Sequence, residues 1–156
     1  MKIFIGSDHA GYEMKEKFIS FLKEEGHEVV DKGAFNFDVN DDYPDFIKPV
    51  AEGVAGQAGS FGIILGASGQ GEAICANRVK GVRAALFYGQ APKSQTDSSG
   101  KVLDLISSAR MHNDANVLSL GLRFINEDEA KEAVKLFLNT PFSGEERHVR
   151  RIKKLD

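Results

Sequence analysis

Short apolar segments of strand character alternate with helical segments along the whole chain, and this alternation restricts the fold more than any other feature. Five segments are predicted to be strands: 2–6, 28–31, 61–65, 82–87 and 117–120. Strands separated by helices pair in parallel, and the helices then cover both faces of the sheet. The alternation therefore predicts an α/β fold of three layers, α/β/α, around a doubly wound, five-stranded parallel sheet.

The helical segments are recognised by their apolar spacing and by the residues at their ends. Helices are predicted between Gly11 and Gly26, over about 43–58, from a glycine-rich turn to about residue 78, over about 101–111, from Asn126 onward, and over about 144–156, where the helix is basic. Asn126 followed by Glu129 is a capping box. The polar segment 89–100 is rich in turn-forming residues and is predicted to be a loop. Since no domain-linking stretch is found, a single domain over 1–156 is predicted.

Composition and charge argue against several classes of function. The formal net charge of −3 gives no reason to expect a nucleic acid as partner. No apolar run approaches the roughly 18 residues needed to cross a bilayer, so no membrane partner is predicted. Cys75 is the single cysteine and cannot form an internal disulfide, which fits a cytoplasmic location.

The segment 63–74 combines an apolar strand, a glycine-rich turn and the start of a helix. The amides of Gly69, Gln70 and Gly71 lie where such a turn and a helix N-terminus attract anions. Ser68 adds a hydroxyl, and Glu72 adds a carboxylate. Donors for a developing oxyanion beside a general base are what proton abstraction next to a carbonyl requires. The same pattern also fits a tight turn with an ordinary acid in the first turn of a helix.

A second polar sequence follows the first predicted strand and places Asp8 and His9 at its carboxyl end. Ligands of open α/β sheets bind at the carboxyl ends of the strands. Asp8 and His9 at one strand end, with Ser68 and Glu72 at another, therefore predict one site at this edge of the sheet.

Several short motifs in a fixed order resemble those of the type B ribose-5-phosphate isomerase family, which includes galactose-6-phosphate isomerase subunits. They are Gly6-Ser7-Asp8-His9-Ala10-Gly11, Asp42-Tyr43-Pro44, Gly66-Ala67-Ser68-Gly69-Gln70-Gly71-Glu72, Ala76-Asn77-Arg78, His112-Asn113-Asp114 and Gly144-Glu145-Glu146-Arg147-His148. The resemblance covers about 1–152. It implies a Rossmann-like or flavodoxin-like fold, an aldose–ketose isomerase of a sugar phosphate, no cofactor, and a homodimer or dimer of dimers with active sites at the subunit interface.

The resemblance also implies which residue is the catalytic base. Some members of the family carry a cysteine at the end of the third strand, and others carry a glutamate in the following helix. Here the strand ends in Gly66, and Glu72 matches the glutamate. Cys75 does not match the family's cysteine and is interpreted as a small buried helix residue.

Further roles follow from the same motifs, residue by residue. Asp8 and His112 match residues that open the sugar ring, and Ser68 matches a residue that assists proton movement between the two sugar oxygens. The phosphate-binding residues of the family are matched by His9, Arg123, Arg147 and Arg151. Its sugar-contacting residues are matched by Tyr43 and Asn113. Arg147 and Arg151 share a helix face, which is also compatible with a solvated basic surface.

The preferred substrate is ribose 5-phosphate, and two alternatives remain open. One is an isomerase of allose 6-phosphate, galactose 6-phosphate or a tetrose phosphate. The other is a non-catalytic phosphate- or nucleotide-binding module. No His, Cys and carboxylate cluster shows metal-ligand spacing, so no metal is predicted. Familiar members of the family have a shorter connection at 89–100, so this segment is either a surface insertion or a cover over the site that alters substrate choice.

Overall fold

The predicted alternation of strands and helices is present in the structure, a computed structural model that describes residues 1–155. In chain order the elements are β1 (Lys2–Ser7), α1 (Tyr12–Glu24), β2 (Glu28–Asp31), α2 (Pro44–Gly56), β3 (Phe61–Gly66), α3 (Gln70–Ala76), β4 (Ala84–Phe87), β5 (Gln95–Thr96), β6 (Val102–Leu103), α4 (Leu105–Asn113), β7 (Val117–Gly121), α5 (Glu127–Asn139) and α6 (Glu146–Ile152).

The main sheet has five parallel strands in the order β2-β1-β3-β7-β4. This confirms the predicted fold class. The order agrees with the flavodoxin-like arrangement for the first three strands and exchanges the last two. Alternate residues of β1 point to opposite faces: Ile3 and Ile5 pack with α1, α4 and α5, whereas Phe4 packs with α2 and α3. Two apolar cores, one on each face, therefore hold the three layers together.

One predicted helix is wrong at its start. The segment 101–104, predicted as the first turn of a helix, instead contains β6, which pairs with β5 in an antiparallel hairpin. Helix α4 begins only at Leu105, because Asp104 caps it: its Oδ1 accepts hydrogen bonds of 2.8 Å from the amides of Ile106 and Ser107. The predicted loop at 89–100 thus forms half of a hairpin.

The end of the chain follows the prediction more closely. The capping box of Asn126 and Glu129 is present, with both hydrogen bonds at 2.9 Å. The basic helix predicted over 144–156 is α6, which is shorter, and Asp156 lies outside the described residues. Across residues 1–155, the helices are too short and too polar for any of them to cross a bilayer.

Candidate active site

The carboxyl ends of β1 and β3 carry the polar residues expected there. Asp8 follows β1 and Ser68 lies two residues beyond β3, and these strands are neighbours in the sheet. Asp8 is buried, and its Oδ1 accepts a hydrogen bond of 3.0 Å from the amide of Ala10. We call this group, completed by Glu72, His9, Tyr43 and Arg123, the carboxyl-edge group. It is brought together as the topology predicts.

The carboxylate of Glu72 lies directly over the end of β3. A Cβ atom built on Gly66 would lie 1.9 Å from Oε1 and 2.2 Å from Cδ of Glu72. No side chain fits at residue 66 while Glu72 holds this position. The carboxylate therefore occupies the space that a side chain at the strand end would take, which explains physically why a glutamate here goes with a glycine there.

Burial changes the acidity of Glu72. Only 5% of the residue is exposed, although it lies in the first turn of α3. Loss of solvation raises its pKa above the ordinary value, the nearby charge of Asp8 raises it further, and a hydrogen bond from its own backbone amide lowers it. Burial wins over the favourable helix N-terminus, so Glu72 is a stronger base than an exposed glutamate.

The glycine-rich turn packs tightly against the end of β7. Gly69 has a φ of 72°, and a Cβ on it would lie 3.0 Å from the amide nitrogen of Gly121. The Ser119 hydroxyl donates a hydrogen bond of 2.6 Å to the Gly69 carbonyl. The amides of Gln70 and Gly71 follow at the start of α3, where amides lack helical acceptors; the Gln70 amide donates to Ser68 Oγ at 3.3 Å.

Tyr43 and Arg123 border the same turn. A Cβ on Gly71 would lie 3.0 Å from Cζ and 3.2 Å from the hydroxyl oxygen of Tyr43, so this ring lies against the start of α3. The Arg123 amide donates a hydrogen bond of 3.0 Å to the Ala67 carbonyl, which fixes the residue after β7 beside the turn. Arg123 is exposed, and its guanidinium is close enough to lower the pKa of His9.

Asp41 also belongs to the carboxyl-edge group, although the sequence analysis missed it. Asp41 Oδ1 lies 2.6 Å from Nδ1 of His9 and accepts a hydrogen bond of 3.1 Å from the His9 amide. The hydrogen bond to Asp41 is the main reason why the pKa of His9 is raised. The raised pKa favours the cationic form of His9, which is suited to an anion such as phosphate. The adjacent Tyr43 motif was a signal that could have pointed to Asp41.

The prediction that no carboxylate and histidine cluster has metal-ligand spacing is wrong at this point. Ligand atoms of Asp8, His9 and Asp41 lie within 4.8 Å of one another. They are adjacent because the 35–41 loop returns to the end of β1, a contact that sequence spacing does not reveal. Nδ1 of His9 is already used by Asp41. The absence of a metal requirement stays a prediction.

The remaining predicted site residues form a second group at the opposite edge of the sheet. His112 and Asn113 end α4, just before β7, and the Asn113 carbonyl accepts a hydrogen bond of 3.0 Å from Arg83, which precedes β4. Arg147 and Arg151 lie on α6, which packs against α4. We call His112, Asn113, Arg147 and Arg151 the amino-edge group, since they lie near the amino ends of the strands.

His148 of α6 packs against His112 of α4, and the sequence analysis assigned it no role. Its buried ring lies 4.5 Å from that of His112, between centroids, and its Nδ1 lies 2.9 Å from the Ser143 hydroxyl. Burial and the neighbouring His112 and Arg147 lower the pKa of His148. The lowered pKa favours the neutral form of His148, which packs against His112 without charge repulsion.

The length of the strands separates the two groups. β7 runs from Val117 to Gly121, so its two ends are about 13 Å apart at the usual rise per residue. Groups that transfer protons to one small substrate must lie within hydrogen-bond reach of it. Glu72 and His112 of the same chain therefore lie too far apart to act together on one small substrate.

Cys75 and Asn77 both lie at the carboxyl end of α3. Cys75 is half-buried in α3, and burial raises the pKa of its thiol, which disfavours a reactive thiolate. Asn77 joins α3 to β4 through two hydrogen bonds to the backbone of Ala84, at 2.8 and 3.0 Å.

Comparison with known proteins gives matches over nearly the whole chain. The family model described as Ribose/Galactose Isomerase matches residues 3–155. A ribose-5-phosphate isomerase B of Mycobacterium leprae is 41% identical over 152 residues, which are 97% of this chain and 86% of the relative. The structure of a ribose 5-phosphate isomerase from Thermotoga maritima matches with a TM-score of 0.84 and 41% identity, covering 99% of this chain and 97% of the other. The structure of a ribose-5-phosphate isomerase B from Mycoplasma genitalium with bound ribulose-5-phosphate matches with a TM-score of 0.84 and 39% identity. This match covers 99% of this chain and 93% of the other.

Proposed function

Because the chain belongs to the ribose/galactose isomerase family, we propose that it interconverts ribose 5-phosphate and ribulose 5-phosphate through an enediolate, with Glu72 as the base. The observation that carries this proposal is the buried Glu72 carboxylate, which lies over the glycine end of β3 beside Asp8. A carboxylate with a raised pKa, next to the amides that begin α3, suits proton abstraction beside a carbonyl.

The proposed proton transfers begin at C2 of the open-chain aldose. The Glu72 carboxylate removes the C2 proton, and the C1 carbonyl oxygen becomes the enediolate oxygen. Amides of the turn formed by Gly69, Gln70 and Gly71 stabilise this charge. Glu72 then returns the proton to C1, while Ser68 assists transfer of the O2 proton to O1, which leaves the carbonyl at C2.

The other residues bind the substrate and open its ring. Asp8 and His112 exchange protons with the ring oxygen and the anomeric hydroxyl, and Tyr43 and Asn113 contact the sugar. The phosphate is held by a set of cationic side chains: His9, Arg123, Arg147 and Arg151. Arginine suits this task because its planar guanidinium forms two parallel charged hydrogen bonds to a phosphate.

The working site is proposed to combine the carboxyl-edge group of one subunit with the amino-edge group of a second. A two-fold homodimer or dimer of dimers brings such groups together twice, at symmetric positions. Exposed apolar side chains beside the turn, Ile74, Tyr88 and Phe124, supply a surface for this contact. Tyr88 and Phe124 are 5.8 Å apart between ring centroids, so these two rings are in contact.

The whole chain is proposed to act as one isomerase domain, which is supported by the family match from residue 3 to residue 155. A cytoplasmic location remains a prediction from the single cysteine. The phosphate-binding residues form part of an isomerase site in this account, and a purely phosphate-binding module has no use for the buried base.

An isomerase assay tests the proposed function. Purified protein is offered ribose 5-phosphate, allose 6-phosphate, galactose 6-phosphate and erythrose 4-phosphate, each with and without EDTA. The highest kcat/KM is expected for ribose 5-phosphate, unchanged by chelation. A higher kcat/KM for another sugar phosphate would show that ribose 5-phosphate is not the preferred substrate. If EDTA removes the activity and one divalent ion restores it, the reaction requires a metal. If no sugar phosphate is turned over, the protein is not an isomerase.

Glu72 is also expected to lower the stability of the protein at neutral pH. Its folded-state pKa is raised, so the neutral carboxyl stabilises the fold below the unfolded pKa, and this contribution is lost as pH rises through the folded pKa. Glu72→Gln stays neutral at every pH. Its melting temperature should equal that of the unmodified protein near about pH 4 and exceed it at neutral pH.

Thermal melts followed by circular dichroism across this pH range measure the difference. Glu132→Gln makes the same chemical change at an exposed residue of α5 and serves as the control. A Glu72→Gln protein that is less stable than the unmodified protein at neutral pH would contradict the burial argument.

A further inference from the structure

The hairpin of β5 and β6 lies along helix α4 and reaches from the carboxyl edge of the sheet toward the amino edge. The Ser108 hydroxyl donates a hydrogen bond of 2.8 Å to Gln95 Oε1. Further along the helix, Lys101 Nζ lies 3.4 Å from Met111 Sδ. The turn of the hairpin, 97–101, is therefore carried to the end of α4, where His112 lies.

Asp97 in this turn faces His112. Its Oδ2 lies 3.7 Å from His112 Nε2, and the two side chains are 5% and 14% exposed. Within residues 1–155, Nε2 of His112 is buried and has no hydrogen-bond partner. Asp97 Oδ2 is its carboxylate neighbour, and a movement of about 0.7 Å would close the hydrogen bond. Such contacts often tighten when substrate binds.

The other oxygen of Asp97 is fixed by the hairpin itself. Oδ1 accepts hydrogen bonds from the Ser99 hydroxyl at 2.6 Å, the Ser99 amide at 2.8 Å and the Lys101 amide at 3.0 Å. The hydrogen bonds from the Ser99 hydroxyl and from the two amides lower the pKa of Asp97 to about 2. Asp97 is therefore anionic at neutral pH, and Oδ1 is held while Oδ2 is directed at His112.

Ser98, the residue after Asp97, contacts Arg147 on helix α6 of the amino-edge group. The Ser98 hydroxyl accepts a hydrogen bond from Nη1 of Arg147. Nε of Arg147 lies 2.8 Å from Oε2 of Glu145. Two adjacent residues of the hairpin thus contact two adjacent elements, α4 and α6.

We propose that the hairpin is part of the catalytic machinery, with Asp97 as a positioning residue that orients His112 and Ser98 as one that orients Arg147. This rests on the proposed function, in which His112 exchanges protons with the sugar and Arg147 binds its phosphate. Asp97 fixes the tautomer of the neutral imidazole: Nε2–H points to the carboxylate, and Nδ1 carries the lone pair that accepts a proton. A mere surface insertion would not require a buried carboxylate at this point.

Asp97→Asn tests the tautomer directly. The amide oxygen keeps the hydrogen bonds that fold the turn, and only the atom facing His112 changes from an acceptor to a donor. The imidazole signals of the four histidines are followed by ¹⁵N NMR, and His112→Asn identifies those of His112. His112 should carry its proton on Nε2 in the unmodified protein and shift toward the Nδ1–H form in Asp97→Asn. An unchanged tautomer would overturn the proposal whether or not the protein is an isomerase.

Kinetics provide the functional readout. Asp97→Asn should lower kcat by about 2- to 150-fold, the range expected for two contacting polar groups, with little change in KM. Ser98→Ala should mainly raise KM, because it loosens a phosphate-binding arginine. In a His112→Asn background, Asp97→Asn should have no further effect, since a residue that acts through His112 needs its imidazole.

The control is Glu132→Gln, which removes a carboxylate on the exposed side of α5 and should leave kcat and KM unchanged.

If His112→Asn lowers turnover while Asp97→Asn does not, or if the two effects simply multiply, the positioning role is refuted and the proposed isomerase stands. If the unmodified protein turns over no sugar phosphate, the proposed function fails, and the NMR result still decides the contact.

Discussion

Glu72→Gln is expected to lower kcat by roughly 10²-fold or more, the usual contribution of a general base. The amide keeps the shape of the side chain and fills the same space over Gly66, but it cannot accept the C2 proton. KM should change little, because the phosphate is bound by other residues. Steady-state kinetics measure the loss of turnover, and exchange of the C2 proton with deuterated solvent measures proton abstraction itself.

Cys75→Ala is the matched control, since Cys75 lies on the same short helix. Burial raises the pKa of its thiol, and the loss of one half-buried sulfur should leave kcat near that of the unmodified protein. Folding of both variants is checked by circular dichroism. If Cys75→Ala abolishes turnover in folded protein and Glu72→Gln does not, the base has been assigned to the wrong residue.

The sequence was sufficient to predict the parallel sheet, the capped helix α5 and the strand–turn–helix unit that carries Glu72. These features are local: strand character, glycines in a turn and a capping box are each encoded within a few neighbouring residues. The family resemblance drawn from short motifs is confirmed over residues 3–155. The structure adds the reason why Gly66 is paired with Glu72: a side chain at residue 66 would occupy the space that the Glu72 carboxylate fills.

Contacts made across the fold were not predictable in the same way. Asp41 meets His9 from 32 residues away, and Asp97 meets His112 only because a hairpin lies along α4 where a loop and an earlier helix start were predicted. The length of α4 also places His112 at the amino edge of the sheet. Sequence spacing carries no information on such distances, so the division of the site into two groups required the structure.

Subunits of Glu72→Gln and of Arg147→Ala, each with little activity alone, are expected to restore activity when they form hybrid dimers. The first variant has a defective carboxyl-edge group, and the second has a defective amino-edge group. In a hybrid, one site combines both defects, and the other combines the intact Glu72 of one subunit with the intact Arg147 of the other. Each hybrid should therefore have about half the activity of an unmodified dimer, by the symmetry of a two-fold interface.

Co-expression of the two variants with different affinity tags, followed by sequential purification of the hybrid, tests the shared site most directly. Assays at a substrate concentration near the KM of the unmodified protein compare the hybrid with both parent homodimers. Our account predicts activity near half that of the unmodified protein, with the KM of the unmodified protein. A hybrid no more active than its parents would show that each chain builds its site alone, and would contradict the account.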